Sequence, residues 1–249
     1  GCVDEESFLQ EYMCKPADDD VAFLEYELIA SCEYAQDIDW QAIEGRELYA
    51  GIDIGRKRDL TVMWIFERLG DVLYTRAIIA LQNMPKPEQE AILWPWIARC
   101  RRTCIDATGL GIGWADDAQR RYGTERVEAV TFTPKVKEAL AYPVRGKMQD
   151  RTLRIPYDPH VRADLRSVTK QTTAAGNIRF TAERTPDGHA DRFWALALGV
   201  HAASTPSAPI DFKSAGPRES LLLDGPLPER TTAAGWGTIA GGNDFAGFA

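Results

Sequence analysis

Three stretches of this chain place an aspartate where an acid is unexpected. Asp53 stands in Tyr49-Ala50-Gly51-Ile52-Asp53-Ile54-Gly55, a run that otherwise reads as an apolar strand. Asp106 ends Thr103-Cys104-Ile105-Asp106, and Asp191 opens Asp191-Arg192-Phe193-Trp194-Ala195. A carboxylate set into an apolar element is costly unless something positive compensates it, and a divalent cation is one such partner. Strand side chains alternate between faces, so Asp53 shares its face with Gly51 and Gly55, and open space around the carboxylate is expected there. Two further acids accompany these: Asp59, after the basic turn Arg56-Lys57-Arg58, and Asp187, shortly before the last apolar stretch. Hard cations such as Mg²⁺ take oxygen ligands and keep several waters, so a few carboxylates suffice to hold them. Two such ions about 3.5–4 Å apart activate a water on one side of a phosphate and stabilise the leaving oxygen on the other. Each acid also has a plain structural reading. Asp53 and Asp59 suit turn chemistry, Asp106 suits a cap on the following turn, and Asp191 suits the positive end of a helix dipole. Taken as an ordered set, they point to metal-assisted phosphodiester chemistry.

The elements that must deliver these acids follow from the hydrophobic pattern. Residues 48–54, 60–66 and 72–80 are β-rich runs joined by short turns, which predicts a three-stranded antiparallel meander. Helix-like and strand-like stretches then alternate. The pattern predicts a helix over 88–102 interrupted by Pro95, a strand over 103–107, and a helix over 112–121 closed by Gly123. A strand over 127–132, a helix over 135–149 despite Pro143, and a short extended piece over 153–156 come next. A helix over 159–170, a strand over 178–182 and a helix over about 190–203 complete the reading. The expected class is α/β, with a central mixed sheet (the antiparallel meander plus parallel strands) flanked by helices. Residues 1–45 are acidic and read as a linker arm with a short helix near 26–35 and no core of its own. Residues 46–204 read as the folded domain. Residues 205–249, rich in Ser, Pro, Gly and Ala, read as a flexible tail.

Composition narrows the function classes. With 249 residues, 45% hydrophobic and 27% charged, the chain has the make-up of a soluble globular domain large enough for a full core. No apolar run approaches the roughly 18 residues needed to cross a bilayer, so no membrane partner is expected. The first residues do not resemble a signal peptide, and the missing initiator Met suggests a fragment or a processed chain. Cys2, Cys14, Cys32, Cys100 and Cys104 form no C-x-x-C pair, and the histidines are not spaced to complete a zinc site with Cys100 and Cys104. All five are expected as reduced thiols. The net charge of −8 argues against a generic nucleic-acid coat protein but not against an enzyme whose own acids hold metal. One basic run stands out, with Lys135, Lys137, Arg145, Lys147, Arg151 and Arg154 in a span containing few acids. Its plain reading is a solvated face, and its functional reading is a phosphate-tracking surface.

An antiparallel meander followed by α/β alternation, with acids from the first strand, the fourth strand and a late helix, resembles the ribonuclease H-like fold. More narrowly, Gly51-Ile52-Asp53-Ile54-Gly55-Arg56-Lys57-Arg58-Asp59-Leu60-Thr61, Ile105-Asp106-Ala107-Thr108-Gly109 and His189-Ala190-Asp191-Arg192-Phe193-Trp194-Ala195-Leu196-Ala197 resemble the nuclease domain of the large terminase subunit of tailed bacteriophages and prophages. The arm Phe8-Leu9-Gln10-Glu11-Tyr12-Met13-Cys14 is similar to the segment that joins the packaging ATPase to that nuclease. The resemblance implies a metal-dependent endonuclease that cuts concatemeric double-stranded viral DNA during genome packaging, using two divalent ions, Mg²⁺ or Mn²⁺. It implies that Asp53 bridges both ions, Asp106 holds one and Asp191 the other. Asp59 is implied as an accessory acid, Asp187 as a competing last ligand, and His189 as a substrate contact or an exposed residue. Arg56, Lys57, Arg58, Lys135, Lys137, Arg145, Lys147 and Arg151 become candidates for DNA contact. Its implied partners are DNA, the terminase ATPase domain, the small terminase subunit and the portal protein, in the cytoplasm of an infected or lysogenic bacterium. No G-x-x-x-x-G-K-[ST] phosphate loop occurs, so a nuclease half without the motor is expected. A resolvase or strand transferase of the same fold, and an actin- or sugar-kinase-like ATPase that uses its D-x-G turn for phosphate, are the alternatives.

Overall fold

The computed structural model describes residues 22–34, 46–55, 60–172, 178–182, 190–204 and 240–241. The chain enters through a short helix, α1 (Tyr26–Cys32), and a two-residue strand, β1 (Glu33–Tyr34). The meander follows as β2 (Leu48–Asp53), β3 (Thr61–Leu69) and β4 (Val72–Leu81), with both successive pairings antiparallel. Gly70 turns the chain from β3 to β4 at φ 60°, a left-handed conformation that glycine adopts without steric cost. Alternation then sets in with α2 (Lys86–Arg99), β5 (Arg102–Asp106), α3 (Gly111–Tyr122), β6 (Val127–Val130), α4 (Pro134–Gln149) and β7 (Leu153–Pro156). After α5 (Pro159–Ser167) come the strands β8 (Val168–Thr172) and β9 (Ile178–Ala182), which pair antiparallel as a separate ribbon. The helix α6 (Asp191–Ser204) closes the domain.

The main sheet runs β1-β7-β4-β3-β2-β5-β6. Strands β5 and β6 extend one side in parallel from β2, and β7 and β1 extend the other in parallel from β4. This is the expected mixed sheet. Its central strands are buried along nearly their whole length because helices cover both faces, as parallel strands require. One face carries α6, α4, α5 and α1 over a core that includes Trp64, Phe66, Cys104, Phe193 and Leu196. The other carries α2 and α3 over Ile52, Met63, Ile65, Leu93 and Trp114.

Several boundaries differ from expectation. The helix expected over 88–102 starts at Lys86 and ends at Arg99; Cys100 is extended, its N–H closing the last turn onto Trp96 and Ile97, and Arg102 already belongs to β5. The helix expected over 159–170 ends at Ser167. Val168 and Thr169 are β-branched and find strand partners in β9, in Phe23, whose N–H bonds the Val168 carbonyl, and in Ala22. The part of the arm covering residues 22–34 draws on the domain's own core. Phe23, Leu24, Ile29 and Cys32 are buried in the cluster that holds α4 and α5. Arg162 of α5 clamps this segment, donating to both oxygens of Glu33 at 2.8 and 2.5 Å while stacking on Tyr26 and Tyr157. Within the tail, β10 (Ala240–Gly241) pairs parallel with Ala80 and Leu81 of β4.

Candidate active site

Asp53 is the last residue of β2 and Asp106 the last of β5. These strands run in parallel register through Gly51↔Cys104 and Ile52↔Ile105, so the two acids stand side by side one step beyond the last pair. Asp191 opens α6, directly after Ala190 in a left-handed conformation at φ 59°. Its Oδ2 accepts from the backbone N–H of Leu60 at 3.0 Å, which ties the helix start to the entry of β3, where Val62 pairs with Asp53. All three acids are buried, at 8%, 6% and 7% exposure.

Two glycines bring these elements together. A Cβ on Gly51 would lie 2.1 Å from the carbonyl oxygen of Ala195 and 2.2 Å from the nitrogen of Gly199. The space beside Gly51 is therefore not open around the carboxylate, as expected, but filled by the backbone of α6. Gly111 does the same for the helix after β5, where a Cβ would come within 1.9 Å of the Asp106 carbonyl oxygen.

Asp106 Oδ1 accepts from the N–H of Thr108 at 2.9 Å, and Thr108 Oγ1 accepts from the N–H of Phe132 at 2.9 Å. This links the end of β5 to the start of α4, where Thr133 caps the helix by accepting from Val136 and Pro134 occupies the first turn. Lys137 is thereby set one turn into α4. Its Nζ lies 4.3 Å from the centre of the Trp194 ring and 5.2 Å from that of Phe132. Burial pushes this ammonium below the usual lysine range, and the charges of Asp53, Asp106 and Asp191 pull it back. Asp53 and Asp106 end neighbouring strands and Asp191 is tied to the entry of the strand beside Asp53, so the three carboxylates gather at one end of the sheet, near Lys137. Burial raises the Asp106 carboxyl despite the hydrogen bond to Thr108 and the charge of Lys137. A group of buried carboxylate oxygens suits a hard divalent cation.

The remaining basic residues divide along α4. Lys135 is exposed in its first turn, beside the cleft. Arg145 lies over the Phe23 ring, 5.6 Å from its centre, Lys147 sits about 15 Å along the helix from Lys137 at 1.5 Å per residue, and Arg151 lies just past the helix end. Arg154 on β7 reaches towards the Ser31 carbonyl of α1. The run is therefore not one surface. Arg179 of β9 lines a hollow on the Lys137 side with Phe132, Thr133, Pro134 and Phe180, adding a positive charge near Lys137 that the sequence reading missed. Arg56, Lys57, Arg58, Asp59, Asp187 and His189 lie outside the described residues.

Cys32, Cys100 and Cys104 are free thiols and all buried, while Cys2 and Cys14 lie outside the described residues. Cys100 and Cys104, four residues apart, belong to opposite cores. The pattern also concealed a partnership: Cys104, Glu128 and His201 offer ligand atoms that all lie within 4.8 Å of one another. The His201 contact and the pairing with Arg102 hold the Glu128 carboxyl at about 2 against the opposing effect of burial.

The sequence model of the terminase RNaseH-like domain family matches residues 50–203. No curated protein matches. Among solved structures, the large terminase nuclease of thermophilic phage G20c with bound magnesium is similar at 18% identity and a TM-score of 0.59, covering 74% of this chain and 98% of that one. The nuclease domain of the Thermus phage P74-26 large terminase is similar at 17% identity and a TM-score of 0.53, covering 70% and 92%. The large terminase of bacteriophage HK97 is similar at 15% identity and a TM-score of 0.52, covering 73% of this chain and 43% of that one. At these identities the structures share the fold.

Proposed function

The chain belongs to the terminase RNaseH-like domain family, and on that premise we propose that it is a metal-dependent endonuclease cutting concatemeric double-stranded viral DNA during genome packaging. The observation that carries this reading is the gathering of Asp53, Asp106 and Asp191 at one end of the sheet, from two neighbouring strand ends and the start of the last helix, with Lys137 close by. Asp53, Asp106 and Asp191 would hold the divalent ions, with Asp53, between the other two, as the carboxylate that could serve both. Asp59 would serve as an accessory acid, and Asp187 competes with Asp191 as the last ligand. When bound, Mg²⁺ or Mn²⁺ supplies an activated water and stabilises the leaving oxygen. The protein's own residues do the positioning. Thr108 fixes the rotamer of Asp106, Leu60 fixes that of Asp191, and Lys137, braced on Trp194 and Phe132, offers its ammonium to a phosphate at the cleft. Double-stranded DNA is the partner at this cleft, and the packaging ATPase domain, small terminase subunit and portal protein are the proposed partners elsewhere. The direct test is cleavage of plasmid DNA by purified protein with Mg²⁺ or Mn²⁺, set against the same protein in chelator. No cleavage under any of these metals would overturn the reading.

The placement of the basic residues makes a separable prediction. Removing one charge-assisted contact to phosphate costs about 1.5–3 kcal/mol, so Lys137→Gln should weaken DNA binding about tenfold or more. Binding of all sequences should weaken alike, and the slope of log affinity against log salt should fall by about one. Arg145→Gln, at a residue stacked on Phe23, should leave that slope unchanged. Fluorescence-anisotropy titrations of duplex DNA at several salt concentrations read both outcomes. Equal slopes for wild type and Lys137→Gln would remove Lys137 from the DNA contact.

A further inference from the structure

Beneath α6, away from the aspartates, β5, β6 and α6 bring together a thiol, a carboxylate and an imidazole. Cys104 lies two residues before Asp106, about 7 Å back along the strand, and His201 lies ten residues after Asp191, about 15 Å along the helix. Cys104 Sγ is 3.4 Å from Glu128 Oε2, and His201 Nε2 is 3.3 Å from Glu128 Oε1. We propose that Cys104, Glu128 and His201 form a binding site for a thiophilic divalent ion of zinc's class, separate from the oxygen-donor aspartates.

The geometry and the chemistry of the donors agree. In a tetrahedral zinc site the bonds are about 2.3 Å to sulfur and 2.0–2.2 Å to nitrogen or oxygen, which puts neighbouring ligand atoms about 3.3–3.5 Å apart. The His201–Oε1 distance falls in that range, and the Cys104 sulfur lies 3.4 Å from the other oxygen of the same carboxylate, with one ligand atom from each of the three residues within 4.8 Å of the others. A thiolate and a carboxylate together neutralise a divalent ion, and the mixture of sulfur, nitrogen and oxygen donors suits zinc rather than magnesium. Arg102 Nη2 donates to Glu128 Oε2 at 2.6 Å, which leaves Oε1, on the His201 side, as the ligating oxygen. An outer partner that orients a ligating carboxylate in this way is a regular feature of metal sites. The entry path is open, because the side chains of His201 and Glu128 are 38% and 32% exposed while Cys104 forms the buried floor. Three protein ligands leave a fourth position for water on the exposed side. An ion there would pin the later turns of α6 to the β5–β6 edge.

Cobalt(II) tests the assignment, because thiolate ligation gives an intense near-ultraviolet charge-transfer band that oxygen donors do not. Chelator-treated, reduced wild-type protein titrated with Co²⁺ should develop this band with a saturable stoichiometry of one, and Zn²⁺ should abolish it by competition. Cys104→Ser should lose the band. His201→Gln, at a position whose side chain is 38% exposed, should weaken Co²⁺ binding at least about tenfold in protein whose melt confirms that it is folded, since even outer partners of metal ligands cost that much. The His201→Gln arm decides the matter if Cys104→Ser does not fold. Absence of a thiolate band in wild type up to millimolar Co²⁺, or a band unchanged by the His201 substitution, would overturn the site. Plasmid cleavage is not the readout, so a failure of the nuclease reading and a failure of this site are distinguishable.

Discussion

Plasmid DNA incubated with Asp53→Asn protein and Mg²⁺ or Mn²⁺ should remain essentially uncut, with the cleavage rate down about a thousandfold or more. That loss corresponds to several kcal/mol of transition-state stabilisation, the scale on which a bound metal acts. The reason is positional. Asp53 stands beside Asp106 across the β2–β5 register and is joined through the β2–β3 pairing to the segment that holds Asp191. On the proposed two-ion reading, an acid between the other two would serve both ions, and its loss would disable both sides of the displacement. Asn keeps the shape of the side chain and removes only the charge. Removing one of three like charges from a buried cleft relieves repulsion, so the melting temperature should stay the same or rise. Asp106→Asn and Asp191→Asn should be nearly as severe, whereas Asp59→Asn and Asp187→Asn should be partial. Rapid cleavage by purified Asp53→Asn protein, with contaminating nuclease excluded, would sink the shared-ligand assignment.

Gly51→Ala should be severely damaging for a one-carbon change. The added Cβ would sit 2.1 and 2.2 Å from backbone atoms of α6, which no side-chain rotation relieves. Overpacking of this kind costs about 1–3 kcal/mol and more when the obstacle is backbone, so a loss of about 3 kcal/mol is expected. At about 2–4 °C per kcal/mol for a domain of this size, the melting temperature should fall by roughly 10 °C. Cleavage well below that temperature should fall too, because a displaced α6 carries Asp191 away from Asp53. Gly113→Ala and Gly146→Ala are the controls. Both positions are helical, a Cβ at either meets nothing within 4 Å, and each change should be neutral or stabilise by about 0.5–1 kcal/mol. Calorimetric melts of the three variants decide it. A Gly51→Ala protein as stable as wild type would show that α6 does not rest on this strand.

The legible parts of the fold are those whose pattern is local. The meander shows in the sequence because three β-rich runs are separated by turns with glycine, and the acids show because charge inside such runs is rare. The helix boundary at Ser167 is not legible. Val168–Thr172 follows a helical pattern without a break, and only its partners Ile178–Ala182 and Phe23 make it a strand. The basic run reads as one patch on paper, but the helix Pro134–Gln149 carries Lys137 near its start and Lys147 near its end, with Arg151 just beyond. Cys104, Glu128 and His201 are invisible as a group for a similar reason. They lie 24 and 73 residues apart, and only the β5–β6 pairing and the return of α6 across them bring their side chains together.

The contact between Gly51 and Gly199 has a consequence for how this domain can change over time. Where side chains separate a helix from a sheet, every core substitution resets the gap. Here α6 rests on β2 through main-chain atoms, and a Cβ on Gly199 would meet Phe66 and the nitrogen of Gly51 in turn. Main-chain atoms are the same whatever the residue, so the separation between the strand carrying Asp53 and the helix carrying Asp191 works as a ruler with fixed markings. Leucines and valines around it can be exchanged at some cost in melting temperature while the cutting geometry holds. Stability can drift in this part of the molecule without taking chemistry with it.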